Sequence, residues 1–479
     1  MMLKPFEVHI QAEPLTHLES ELAPSDWREF LSRADHARAI MKGRTFWNIS
    51  STAKGGGVAE MLPGLVAYTR GAGVDSRWLV LTGTPAFFHI TKRLFNALHG
   101  SSGDGSALGA VERETYDDVL QDNAEELLAL VKPGDVVLLH DPQTCGLGPA
   151  LAEAGASVVW RCHVGRDTPN AEVSRAWEFL APGLSAARFL IFSRAAYVPP
   201  QYADRALIIQ PSIDIFAVKN QPMAPAVARA ILATTGLLRS GPDMPEPAFT
   251  RADGVTGRVS RGADIIRLGT GPVPDMPLLV QVSRWDPLKD AAGVLSGFAL
   301  LLRQTPHLRV ELVLAGPAVT SVADDPDAAA TLEDVLALWR RQSHFVRQRI
   351  HLACLPMTDL EENAAIVNAL QRHAAVVTQK SLQEGFGLTI TEAMWKARPV
   401  VASAVGGLQD QVLPGENGLL LRNPEDRAEF AGAVRSLLEA PERATLMGLR
   451  AHEHVRTHFT ITRHLSDFVR LLERLSMQK

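Results

Sequence analysis

The stretch Glu384-Gly-Phe-Gly-Leu-Thr-Ile-Thr-Glu392 sets two carboxylates eight residues apart around a glycine-rich loop that runs into a helix. Gly385 and Gly387, with Phe386 between them, allow a tight turn and a close approach of backbone to a ligand. The N–H groups from about Gly387 through Leu388 to Thr389, open at a helix start, then face a diphosphate. Glu384 lies ahead of the helix and points at a sugar. Glu392, a turn or more into it, accepts hydrogen bonds from ribose hydroxyls, as the acid of a dinucleotide fold does. A glutamate pair at this spacing is also an ordinary feature of a solvated helix, and the glycines are what set the two readings apart.

On either side of this loop, short β-branched runs alternate with helical patterns, the signature of βαβ units and parallel sheets, and the alternation occurs twice. The first half predicts strands near Thr45 to Ser51, Arg77 to Leu81, Asp135 to His140, Ser157 to Cys162, Arg188 to Phe192 and Ala206 to Gln210. The second half predicts them near Leu278 to Ser283, Arg309 to Leu314, Arg349 to Leu352, Ala374 to Thr378 and Pro399 to Ser403. The fold class expected is α/β, with two Rossmann-like parallel-sheet lobes facing an interdomain cleft: residues 1–222 form the first and 276–459 the second. Between them, 223–275 is rich in Pro and Gly and reads as a linker, mobile and solvated, whose Arg251, Arg258, Arg261 and Arg267 offer at most a lid over an anion. Residues 460–479 carry Ile461, Leu465, Phe468, Val469, Leu472 and Leu475 at helical spacing behind a Thr460 N-cap, and this helix packs back on the first lobe. No function attaches to the first 40 or so residues.

With 479 residues the chain exceeds what one core supports, about 250 to 300 residues. Its net charge of −5 and pI near 6.3 give no electrostatic footprint for nucleic acid. The three cysteines, Cys145, Cys162 and Cys354, form no C-x-x-C and signal neither a disulfide framework nor a zinc knuckle, which fits a reducing cytoplasm. No apolar run approaches the roughly 20 residues of a membrane span, and the N-terminus lacks a signal-peptide pattern, so no membrane partner is expected.

Ligands of open α/β sheets bind at the carboxyl ends of the strands. There, Val282-Ser-Arg-Trp-Asp-Pro-Leu-Lys289 supplies Arg284 and Lys289, a planar fork and a point charge that together hold a pyrophosphate and stabilise it as it leaves. With these cations present, that task requires no divalent metal. Gly55, Gly56 and Gly57 follow the first strand, although a tight strand-to-helix turn needs glycine in any case. His163 closes another strand; such a histidine serves structure as readily as catalysis, and its position keeps it a candidate. His140-Asp-Pro-Gln143 offers Asp141 and Gln143 to an acceptor's hydroxyls, and a capped turn explains that phrase equally well.

These motifs together resemble the two-lobed retaining nucleotide-sugar glycosyltransferases of the GT-B type, which include sucrose and glycogen synthases. Glu384 to Glu392 is similar to their Glu-x7-Glu motif, and Arg284 with Lys289 to their diphosphate-binding pair. Within that group the chain looks most like the trehalose glycosyltransferring synthases. The matching phrases are Trp47-Asn-Ile-Ser-Ser-Thr52 leading into Val58-Ala-Glu60, Asn96-Ala-Leu-His-Gly100, His140-Asp-Pro-Gln143, Trp160-Arg-Cys-His163, Pro211-Ser-Ile-Asp214, and Glu384 through Lys396 followed by Ala404-Val-Gly-Gly407. Two departures stand out: a linker longer than the family's, from about Val227 to Asp275, and Ile215 where a proline is usual. The resemblance implies transfer of glucose from a nucleoside diphosphate glucose to free glucose, giving α,α-trehalose with retention. Glu384, His163, Arg284 and Lys289 are then the catalytic candidates. Gly56, Gly57 and the 384–392 loop join the donor side, and Asp141, Gln143 and His163 take the acceptor. The likeness also suggests a homodimer. Asp325-Pro-Asp327 superficially matches the Asp-x-Asp metal site of single-domain glycosyltransferases, but its setting reads as a solvated turn or an N-cap. A transferase with another acceptor (a sugar phosphate, a glycan, a small natural product) and a non-catalytic sugar-nucleotide sensor remain open.

Overall fold

The computed structural model describes residues 4–54, 56–319 and 328–477, so Gly55 and Asp325-Pro-Asp327 lie outside the described residues. The chain divides into two compact units, Met1–Ser212 with Phe459–Lys479, and Ile213–His458.

The first unit is built on β1 (Phe6–Val8), β2 (Thr45–Ser50), β3 (Asp75–Val80), β4 (Val136–His140), β5 (Ser157–Cys162), β6 (Phe189–Phe192) and β7 (Ala206–Ile208). Their order is β1-β3-β2-β4-β5-β6-β7. β1 pairs antiparallel with β3, and every other pair is parallel. All five residues of β4 are buried, because helices cover both faces of a parallel sheet and leave no side for solvent. Its alternation sorts them: Val137 and Leu139 join a core with Phe87, Trp160 and Trp177, whereas Val136 and Leu138 join one with Trp27, Phe30, Phe468 and Leu472. The second of these cores holds the helices Pro24–Ile40 and Ile461–Met477. The C-terminal helix is also pinned by polar contacts. The buried Arg161 guanidinium donates to His464 Nε2 at 2.8 Å and to the Ile209 carbonyl at 3.0 Å. Since arginine only donates, His464 Nε2 is the bare nitrogen, and its Nδ1–H donates to Ser212 Oγ at 2.8 Å.

The second unit carries the hairpin β8 (Ala248–Thr250) and β9 (Thr256–Arg258) and a sheet of β10 (Asp264–Ile266), β11 (Leu278–Val282), β12 (Glu311–Pro317), β13 (Ile350–Leu355), β14 (Val376–Gln379), β15 (Val400–Ser403) and β16 (Leu419–Leu421). The order is β10-β13-β12-β11-β14-β15-β16; only β10 runs antiparallel, against β13.

The reading of 223–275 as a mobile, solvated linker needs correction. It holds the helix Pro225–Thr234, the hairpin and β10, all within the second unit. The reason is electrostatic and long-range. Arg251 pairs with Asp359 at 2.6 Å and Glu361 at 2.7 Å, and Arg261 pairs with the buried Glu362. Arg258 pairs with Glu246, and Arg267 donates to the Gly236 carbonyl. The four arginines proposed as a lid thus bind the protein itself. Pairing with Arg251 holds the Asp359 carboxyl down at about 2.

Candidate active site

In each sheet the first parallel strand in chain order is flanked on one side by the second and on the other by a later one, and that reversal opens a crevice at the carboxyl ends. In the second unit the crevice lies between β11 and β14, paired through Leu279↔Val376 and Val280↔Val377. The sequence places Arg284 and Lys289 after β11 and Glu384 after β14, and the structure brings Lys289 and Glu384 together. Lys289 Nζ lies 2.7 Å from both Oε1 and Oε2 of Glu384. The carboxylate, 7% exposed, also accepts from Ser381 Oγ at 3.0 Å. Arg284 sits in the same loop, 3.6 Å from Asp286. The two loops are stitched below the charges: Leu382 N–H donates to the Leu288 carbonyl, Gln281 Nε2 donates to the Lys289 carbonyl, and Lys380 pairs with Asp290. Sequence reasoning missed Ser381, Gln379 and Lys380; their signal was a polar run closing the apolar strand β14 at the reversal.

The helix Leu388–Trp395 starts from Gly387, whose φ of 89° and ψ of 56° lie in the left-handed region. The N–H groups of Leu388 and Thr389, at the head of its first turn, have no intrahelical partner. Gln411 Nε2 fixes the loop from beneath through the Phe386 carbonyl at 2.5 Å. A Cβ on Gly387 would meet Leu408 Cδ2 at 2.5 Å and Glu384 Cγ at 3.3 Å. Gly387→Ala should therefore cost about 2–4 kcal/mol, from left-handed strain plus overpacking. A thermal melt checks this, and an unchanged midpoint would mean the loop relaxes freely.

Glu392 sits deeper. It is 3% exposed, 3.2 Å from Lys219 and 3.5 Å from Gln371 Nε2. Gln371 also donates to the Thr389 carbonyl. Lys396, beside it, reaches Asn220 and Gln371 at 3.0 and 2.7 Å. Burial pushes its ammonium well below the ordinary lysine value, with the Glu392 charge opposing the shift.

In the first unit the equivalent reversal falls between β2 and β4. Gly56, at φ 81°, caps the helix Gly57–Gly71 that follows β2. At the ends of β4 and β5, Asp141 holds His163 in place by accepting its backbone N–H at 2.8 Å, and Asp141 itself adopts φ 64°. Gln143 lies on the turn after β4, and its Oε1 is buried with no partner among the described residues. Burial first, then the Arg161 charge, hold His140 and His163 well below the ordinary imidazole value. His464 is lowered in the same way, by burial and then Arg161. Burial raises the Asp141 carboxyl to about 7, against the pull of the His163 N–H.

These shifts predict a pH profile by linkage. The three histidines are neutral when folded but take up protons when unfolded below about pH 6.5, so their contribution is full above that pH and is lost as pH falls. Asp141 acts oppositely: between pH 7 and 4 the folded carboxyl binds a proton that the unfolded one does not. Histidines outnumber it, so stability should drop from pH 6.5 to 5 by about 1.4 kcal/mol per pH unit for each net proton. Urea midpoints at pH 7 and 5.5 test this; a midpoint that rises on acidification would reverse the assignment.

Among the described residues no group of three or more His, Cys, Asp or Glu side chains is placed to hold a metal ion, and no helix is long and apolar enough to cross a membrane.

Two doubly wound sheets, the second with a cationic loop and a glycine loop meeting at its strand reversal, define a glycosyltransferase of the GT-B class, and the profile of group 1 glycosyl transferases matches residues 265–454. A solved α,α-trehalose-phosphate synthase (UDP-forming) from Burkholderia vietnamiensis shares this fold with a TM-score of 0.65 at 17% identity, covering 90% of this chain and 98% of that one. The profile described as trehalose synthase, N-terminal domain, matches residues 48–199. The trehalose synthase of Pyrococcus horikoshii is 33% identical over 448 residues, 93% of this chain and 94% of that protein. That of Rubrobacter xylanophilus is 32% identical over 457 residues, 94% of each. The chain belongs to the trehalose synthase family.

Proposed function

We propose that the protein transfers glucose from a nucleoside diphosphate glucose to the anomeric hydroxyl of free glucose, forming α,α-trehalose with retention at the donor carbon. The observation that carries this reading is the Lys289–Glu384 pair at the β11/β14 reversal, at 2.7 Å. Breaking a sugar–phosphate bond builds negative charge on the diphosphate and positive charge on the ring. Lys289, Arg284 and the N–H groups of Leu388 and Thr389 oppose the first, so no divalent metal is needed for that task. Glu384 faces the second and orients the sugar without bonding to it. Attack then comes from the leaving-group face, and the departing phosphate takes the acceptor's proton. Glu392 lies near the same loop for the ribose, and its Lys219 partner must yield or share. In the first unit Gly56 and Gly57 serve the donor, and Asp141, Gln143 and His163 the acceptor. Family membership supports the trehalose product.

The test is product identification by NMR after incubating the protein with UDP-, ADP- or GDP-glucose and either glucose or glucose 6-phosphate. α,α-Trehalose from glucose is the expected product. A product from glucose 6-phosphate alone would replace the acceptor, and binding without turnover would replace transfer by sensing.

A further inference from the structure

Asn48 and His140, two residues of the first unit with no part in the reaction as described, form a polar chain that ends on His163. Asn48, 3% exposed, lies within β2 between Trp47 and Ile49, where an apolar side chain would ordinarily stand. Its Oδ1 is 3.3 Å from His140 Nε2 on the neighbouring strand β4. His140 Nδ1 is in turn 3.1 Å from His163 Nε2. The two rings lie 15° apart with centroids 5.4 Å apart, the separation expected when the N···N bond runs in the plane of both rings.

Direction follows from which atoms can donate. A carbonyl oxygen only accepts, so Asn48 Oδ1 requires the proton of His140 on Nε2. A neutral His140 then has a bare Nδ1, which accepts from His163 Nε2–H. A neutral His163 is left with its lone pair on Nδ1, an atom without a hydrogen-bond partner among the described residues. The charged and titratable groups around the pair include Arg161, buried on β5, His464 on the C-terminal helix, and Asp141 on the turn after β4, which accepts the His163 backbone N–H.

We propose that Asn48 and His140 are positioning residues that fix His163 as its Nε2–H tautomer, so that Nδ1 presents a lone pair to a bound sugar hydroxyl. This rests on the reading of His163 as an acceptor-side group. The tautomer itself is a property of the free protein and can be read without any reaction.

Long-range ¹⁵N–¹H correlation spectra of the ¹⁵N-histidine-labelled full chain, with the signal assigned by a His163→Asn variant, should report Nε2–H for His163. Asn48→Leu removes the terminal acceptor and should give a mixture of tautomers, with kcat/KM for glucose lowered about tenfold, the worth of one hydrogen bond. The KM for the nucleotide sugar should hold. Asn48→Asp, whose ionised carboxylate keeps an acceptor facing His140 Nε2, should restore both tautomer and rate. Nδ1–H on His163 in the parent protein, or an Asn48→Leu variant with tautomer and rate unchanged, would overturn the proposal. If Asn48→Leu fails to fold by near-UV circular dichroism, the parent spectrum and the Asp variant decide. An Nε2–H spectrum in a protein that makes no trehalose would retire the reaction and leave the relay standing.

Discussion

Glu384→Gln is expected to lower kcat by about 10²- to 10³-fold, the range seen when one charge-stabilising group is removed from an active site, with little change in the thermal midpoint. The variant keeps the volume of the buried side chain and an oxygen for the Ser381 hydroxyl, now 3.0 Å away. It removes the charge. An amide NH₂ also turns a donor toward Lys289 Nζ, which at present meets both carboxylate oxygens at 2.7 Å, so one of two good contacts becomes donor against donor. Lys289 retains some solvent access, which limits the cost to the folded state. Affinity for the nucleotide sugar should fall much less than turnover, because positive charge on the sugar ring develops only in the transition state. Steady-state kinetics with calorimetric binding separates the two. Near-normal turnover would remove Glu384 from the mechanism; equal losses in affinity and rate would reduce it to a support for Lys289.

The parts of this molecule that could be read in the sequence are those whose cause is local. The central strands showed because burial on both faces leaves continuous apolar runs such as Val136-Val-Leu-Leu139. The glycine loop showed because Gly387 needs its conformation whatever surrounds it. β1, β10 and β16 did not show: each has three residues, and their pairing is decided by the strands they join rather than by their own composition. The 223–275 segment misled for a related reason. Its Pro and Gly content is that of a linker, while the carboxylates that hold it, Asp359, Glu361 and Glu362, lie about a hundred residues further on. Contacts of that span explain the site's unread members too. Lys219 is invisible as the partner of Glu392, and Asn48 within β2 reads as an unexplained polar residue until His140, 92 residues later, stands beside it.

The double variant Arg284→Ala with Lys289→Ala should weaken nucleotide-sugar binding by about 10²- to 10⁴-fold, since charge-assisted hydrogen bonds contribute about 1.5–3 kcal/mol each. The loop that carries these cations does not depend on their side chains for its shape. Asp286 caps it through Leu288 N–H at 2.8 Å, Gln281 Nε2 holds the Lys289 carbonyl at 2.9 Å, and Leu382 N–H holds the Leu288 carbonyl at 2.8 Å. Backbone geometry should therefore survive, and lost affinity reports lost charge. One side effect needs a control. Without Lys289, Glu384 is a buried carboxylate short of its cation, and breaking such a pair costs more than the pair contributes. Adding Glu384→Gln to the double variant should recover part of any lost stability and none of the affinity, a non-additivity that identifies the two residues as coupled. Raising salt should also weaken binding in the parent more than in the variant, because the screened attraction is the one deleted. Unchanged affinity by calorimetry would place the diphosphate somewhere other than the β11/β14 crevice, and the reading of Glu384 would go with it.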